Sequence, residues 1–66
     1  MHIIVNGKET SLEDNASMQT LIATLKLEGK VMAAAVNMNI VKQDAWSSYQ
    51  LVAGDKVELL DFVGGG

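Results

Sequence analysis

The sequence predicts an α+β domain of two layers, with one main helix packed on one face of a mixed four- to five-stranded sheet. Three observations carry that prediction. Asn6-Gly7 separates two extended runs and marks a hairpin. Met18, Leu21, Ile22 and Leu25 recur at i, i+3, i+4 and i+7, one apolar stripe of a helix. The run Lys56–Phe62 alternates as a strand does. A single helix beside several strands must bury its stripe against the sheet, which gives two layers around one core.

The elements follow in order. Residues 2–6, His2-Ile3-Ile4-Val5-Asn6, are rich in β-branched side chains and stop at a dipeptide suited to the positive φ angles of a type I′ turn. Glu9-Thr10-Ser11-Leu12 is the returning strand, polar enough for an edge. Ser17 is placed to cap a helix over residues 18–28, and Gly29 to stop it. In Val31–Asn37 the three alanines leave helix open on pattern alone. Strand is favoured because Gly29 has just closed one helix and Asn37-Met38-Asn39 reads as a turn into Ile40-Val41-Lys42. Residues 43–49 are irregular, with one helical turn around Asp44-Ala45-Trp46. Ala53-Gly54-Asp55 turns the chain into the last strand.

With 66 residues and no cysteine, the chain is one domain that neither disulfides nor a thiolate metal site can staple. A core this small leaves no room for a deep substrate pocket, which argues against an autonomous enzyme. Eight acidic residues against five lysines give a net charge of −3, the wrong sign for a nucleic-acid partner. No apolar run approaches the roughly 20 residues that cross a bilayer, and the start lacks the basic and apolar regions of a signal peptide. The simplest expectation is a cytoplasmic monomer whose partners are other proteins.

The catalytic inventory is nearly empty. His2 is the only histidine, so no metal pair and no serine triad can be drawn. Glu13-Asp14 and Asp55/Glu58 read as solvated surface charge, Trp46 and Tyr49 as caps on the edge of the core, and the four methionines as core or terminus. No catalytic residue, metal or cofactor is expected. What remains is the end, Gly64-Gly65-Gly66, which follows the last strand as a flexible tail over residues 63–66 beyond a domain of residues 1–62. Glycines carry no Cβ and can thread a narrow slot, although a frayed terminus fits the tail alone equally well. If Val57 and Leu59 face the helix, Leu60 and Phe62 lie on the open face just ahead of those glycines. They are candidates for a docking patch, against the background that scattered exposed apolar residues are ordinary.

The stretch Val36-Asn37-Met38-Asn39-Ile40-Val41-Lys42-Gln43-Asp44-Ala45-Trp46 resembles the V-N-x-x-x-V-P-R-x-x-W motif of the ThiS family, the sulfur carriers of thiamine biosynthesis. Leu51–Leu60 resembles their L-x-x-G-D-x-V-E element, and Gly65-Gly66 their closing di-glycine. The likeness runs over essentially the whole length. It departs at Lys42-Gln43, where the family usually has Pro-Arg, and at Gly64, where alanine or another small residue often stands.

The resemblance implies a β-grasp, ubiquitin-like fold and a carrier rather than an enzyme. It also implies that the Gly66 carboxylate is the sulfur attachment point, adenylated by an E1-like, ThiF-type adenylyltransferase and converted to a thiocarboxylate. A separate enzyme would donate the sulfur, and a ThiG-type thiazole synthase would receive it. Elementary chemistry agrees, since a carboxylate is a poor electrophile and adenylation gives it a leaving group. The acyl-adenylate must then be kept from water inside the partner. From Phe62 to Gly66 an extended tail reaches about 13–18 Å. Two other readings stand beside this one: the small subunit of a molybdopterin synthase, and a plain ubiquitin-like interaction module with an inert tail.

Overall fold

The computed structural model describes residues 1–61 of the chain. It contains β1 (His2–Val5), β2 (Lys8–Ser11), α1 (Met18–Thr24), β3 (Val31–Val36), β4 (Asn39–Val41), a 3₁₀ turn at Gln43–Ala45, and β5 (Lys56–Asp61). The five strands form one sheet in the order β2-β1-β5-β3-β4. Two hairpins, β1–β2 and β3–β4, therefore flank a central strand that comes last in the chain. β5 runs parallel to β1 and antiparallel to β3.

Both hairpins turn through two residues of positive φ, the type I′ geometry whose twist matches that of the strands. In the first these are Asn6 (φ 49°) and Gly7 (φ 84°), and in the second Asn37 (φ 50°) and Met38 (φ 72°). Asparagine tolerates this region because its short polar side chain bonds locally. Methionine has no such excuse, and Met38 is held at the tip of its turn with 92% of its surface exposed.

Ser17 caps α1 as its sequence position indicates, its hydroxyl oxygen accepting from the Thr20 amide at 3.1 Å. The helix, however, ends at Thr24 rather than at residue 28. Lys26 takes φ 59°, its amide donates to the Ala23 carbonyl, and the Leu27 amide donates back to Ile22 at 2.9 Å. Those two bonds are a Schellman closure with lysine where glycine usually sits. Leu27 then packs on the core beside the stripe, which favours the early stop. Gly29 (φ 76°) serves the following turn instead.

Ile3, Val5, Met18, Leu21, Ile22, Val36, Val57 and Leu59 form the heart of the core between helix and sheet. Ala34 of β3 is buried beneath the helix. Trp46 lies deeper than an edge cap: it is 5% exposed, and its Nε1–H donates to the Val41 carbonyl at 2.9 Å. Tyr49 is half-buried against the same cluster. The expectation that the methionines are core or terminal holds for Met18 and Met1 but fails for Met38 and Met32. Met32 sits at a shift in the β3–β5 register between Val31 and Ala33, which takes it out of the alternation and turns it to solvent.

Lys42 has φ −68°, the value at which a proline ring would also lock the backbone. The departure from the proline of the motif therefore asks for no change of φ at this position.

Candidate functional site: the open face and the root of the last strand

Alternation along β5 puts Val57 and Leu59 in the core and Lys56, Glu58 and Leu60 on the face away from the helix. Ala33 pairs with Leu60, and Ala35 pairs with both Glu58 and Ile40. The two alanines thus floor a shallow apolar trough walled by Leu60 on β5 and Ile40 on β4. Leu60 is 53% exposed and Ile40 72%. Ile4 of β1, opposite Lys56, adds a third apolar side chain to the face.

Leu60 therefore lies where the sequence placed it, while Phe62 and Gly64, Gly65 and Gly66 lie outside the described residues. Ile40 and Ile4 were missed. The signal for Ile4 was its place between two buried neighbours, Ile3 and Val5, which forces it to the opposite face. The signal for Ile40 was its place second in a strand that begins immediately after a two-residue turn.

The other end of β5 is locked by polar groups. Asp55, expected as solvated charge, is 6% exposed. Its carboxylate accepts from the Val52 amide at 2.9 Å and from Asn37 Nδ2 at 3.0 Å, closing the turn around Gly54 from within. Burial is tolerated because these donors replace water. Asn37 Oδ1 in turn accepts from the Lys56 amide at 3.1 Å. Glu58 is exposed as expected.

A second asparagine grips β5 nearer its end. The Asn6 amide Nδ2 donates to the Leu59 carbonyl at 3.2 Å, and its Oδ1 accepts from the Leu59 amide at 2.9 Å. Among the described residues no cluster of three or more His, Asp or Glu could hold a metal ion, and no helix is long and apolar enough to cross a membrane. What the arrangement offers chemically is a flat, partly apolar face beside a firmly held strand that leads toward the glycines.

A helix laid across a five-stranded sheet whose last strand is inserted at the centre is the ubiquitin-like β-grasp. Comparison with known proteins narrows this class. The ThiS family model matches residues 3–66. The sulfur carrier protein ThiS of Bacillus subtilis is 32% identical over 63 residues, covering 94% of this chain and 96% of that protein. The crystal structure of the thiamine biosynthesis protein ThiS from Geobacter metallireducens superposes over the whole of both chains with a TM-score of 0.82 at 28% identity. A thiazole synthase of Paramagnetospirillum magneticum is 27% identical over 66 residues, so this chain spans only 20% of that relative's length. The chain belongs to the ThiS family. It is a sulfur carrier of thiamine biosynthesis that acts with the enzymes of that pathway, and is not itself a catalyst.

Proposed function

We propose that this carrier bears its sulfur as a thiocarboxylate on Gly66, with Gly64 and Gly65 serving as the slender approach to it. The Gly66 carboxylate attacks the α-phosphate of ATP in a ThiF-type adenylyltransferase, pyrophosphate leaves, and a sulfur nucleophile supplied by a donor enzyme displaces AMP. A ThiG-type thiazole synthase then takes the sulfur. The observation that carries this reading is the family match that runs through Gly66, five residues beyond the end of the central strand β5. Residues 1–62 are the globular handle and residues 63–66 the tail that enters the partner. The carrier works as a monomer in the cytoplasm, where ATP is available.

The trough between Leu60 and Ile40, together with Phe62 two residues further along the chain, is the surface on which the adenylyltransferase docks. Leu60 precedes Gly66 by only six residues in the chain, so a partner that covers Leu60 has the glycines within reach. A carrier needs no pocket of its own, because the pocket that excludes water belongs to the partner.

Intact-mass spectrometry after incubation with an E1-like enzyme, ATP and a sulfur donor tests the chemistry. The expected result is replacement of one oxygen by sulfur, mapped to Gly66. An unchanged mass, with an enzyme that converts another carrier, would overturn it. Whether gene loss creates a thiamine or a molybdenum-cofactor requirement separates the two carrier readings.

A further inference from the structure

β1 is shorter than the strand it supports. Its register with β5 covers only Ile4↔Lys56 and Val5↔Val57, followed by a bond from the Asn6 amide to the Val57 carbonyl at 2.9 Å. β5 continues to Asp61. On the β1 side, the next backbone groups are those of Leu59, and β1 has already turned away at Gly7. The Asn6 side chain fills that gap. Its amide presents one donor and one acceptor to the Leu59 carbonyl and amide, as the backbone of a longer β1 would. Residues 53 positions apart in the chain are joined this way, two residues before β5 ends.

We infer that Asn6 is a positioning residue for delivery of Gly66. It extends the two-sided pairing of β5 to Leu59 and so fixes the root from which the tail leaves the sheet. This rests on the carrier reading above. Without the side chain, the last stretch of β5 is held on the β3 side alone. It then swings about that ladder, and the point from which the chain continues to Gly66 is less firmly set relative to the partner's reacting centre. The fold holds a matched control. Asn37 has the same backbone conformation in the other hairpin, φ 50° against 49°. Its side chain likewise bonds β5, but at Lys56, the end remote from the tail.

The test uses the full-length carrier with Asn6→Gly, Asn6→Asp and Asn37→Gly, each shown to be folded by thermal melting. Glycine keeps the positive φ of the turn and removes the amide. Aspartate keeps the acceptor for the Leu59 amide and sets a carboxylate oxygen, in place of the donor, against the Leu59 carbonyl. Turnover to the thiocarboxylate is measured against carrier concentration with the adenylating enzyme, ATP and sulfide. Asn6→Gly and Asn6→Asp are expected to lower kcat roughly tenfold through misplacement of the reacting group, whereas a mere loss of docking, Asn6 itself bordering the trough, would raise KM and leave kcat unchanged. Amide exchange at Leu59 and Leu60 accelerates in parallel. Asn37→Gly loses stability but keeps kcat.

An unchanged kcat in the Asn6 variants, or an equal fall in Asn37→Gly, overturns the inference. If the wild-type carrier is not converted by an enzyme active on another carrier, the carrier reading itself falls and the inference with it. A converted wild type with normal Asn6 variants removes the inference alone.

Discussion

Replacing Leu60 by serine puts the docking face to a quantitative test. Full burial of a leucine side chain stabilises by about 1.5–3 kcal/mol. With 53% of Leu60 still exposed in the free carrier, about half of that, roughly 0.8–1.6 kcal/mol, remains to be gained when a partner covers it. At 1.4 kcal/mol per decade, Leu60→Ser should weaken binding to the adenylating enzyme about 4- to 14-fold. The half already buried is lost from folding stability, at a cost of similar size, so a urea titration must accompany the assay to show that the variant stays folded.

Calorimetric titration of the enzyme with each carrier reads the affinity directly. Val52→Ser is the control, since Val52 is 61% exposed but lies in the loop before β5, outside the sheet. The reasoning is refuted if Leu60→Ser binds like the wild type, or if Val52→Ser weakens binding as much. The first outcome would mean that no partner covers this strand. The second would mean that exposed apolar area matters wherever it lies.

Two further outcomes follow from the fold. Lys26→Gly should stabilise the domain, because a left-handed lysine costs about 1–2 kcal/mol and glycine's extra freedom in the unfolded chain offsets about 0.4–1 of that. A higher urea midpoint at constant m checks it, and a lower midpoint would contradict the Schellman assignment. Asp55→Ala should destabilise by about 2–6 kcal/mol, since it removes the acceptor of the Val52 amide and the Asn37 side chain, each at about 1–3 kcal/mol. A loss under about 0.5 kcal/mol, the range of ordinary surface changes, would show that water serves both donors equally well.

Strands and helix were readable wherever one local signal acted alone. Asn6-Gly7 gave the first turn, the heptad-like stripe gave α1, and alternation in Lys56–Phe62 put Leu60 outward, because each depends on neighbours within a few residues. The misreadings share a cause of the opposite kind. Gly29 looked like the helix stop because glycine tolerates positive φ better than lysine does. The chain instead turns at Lys26 (φ 59°) and packs Leu27 on the core. Asp55 looked solvated because its two donors lie at Val52 and Asn37, and the second is 18 residues away. Met32 looked like core because a register shift leaves no trace in composition. The Asn6 clamp was invisible for the same reason: its partner is at the other end of the chain.

That distance bears on how the carrier works. β5 is the last strand made and the central strand of the sheet, so its neighbours, β1 and β3, must already be in register when it pairs. The root of the tail is consequently formed by contacts between the two ends of the sequence, the kind that loop entropy makes late in folding. Local fraying that releases a terminus in most domains is opposed here by the β3 ladder on one side and, on the other, by the β1 ladder to Val57 and the Asn6 side chain at Leu59. An edge strand in the same place would open at little cost. On the function proposed above, central placement of β5 ties delivery of Gly66 to completion of the whole fold, and a partly folded carrier would offer its partner neither the trough at Leu60 nor a fixed end to β5.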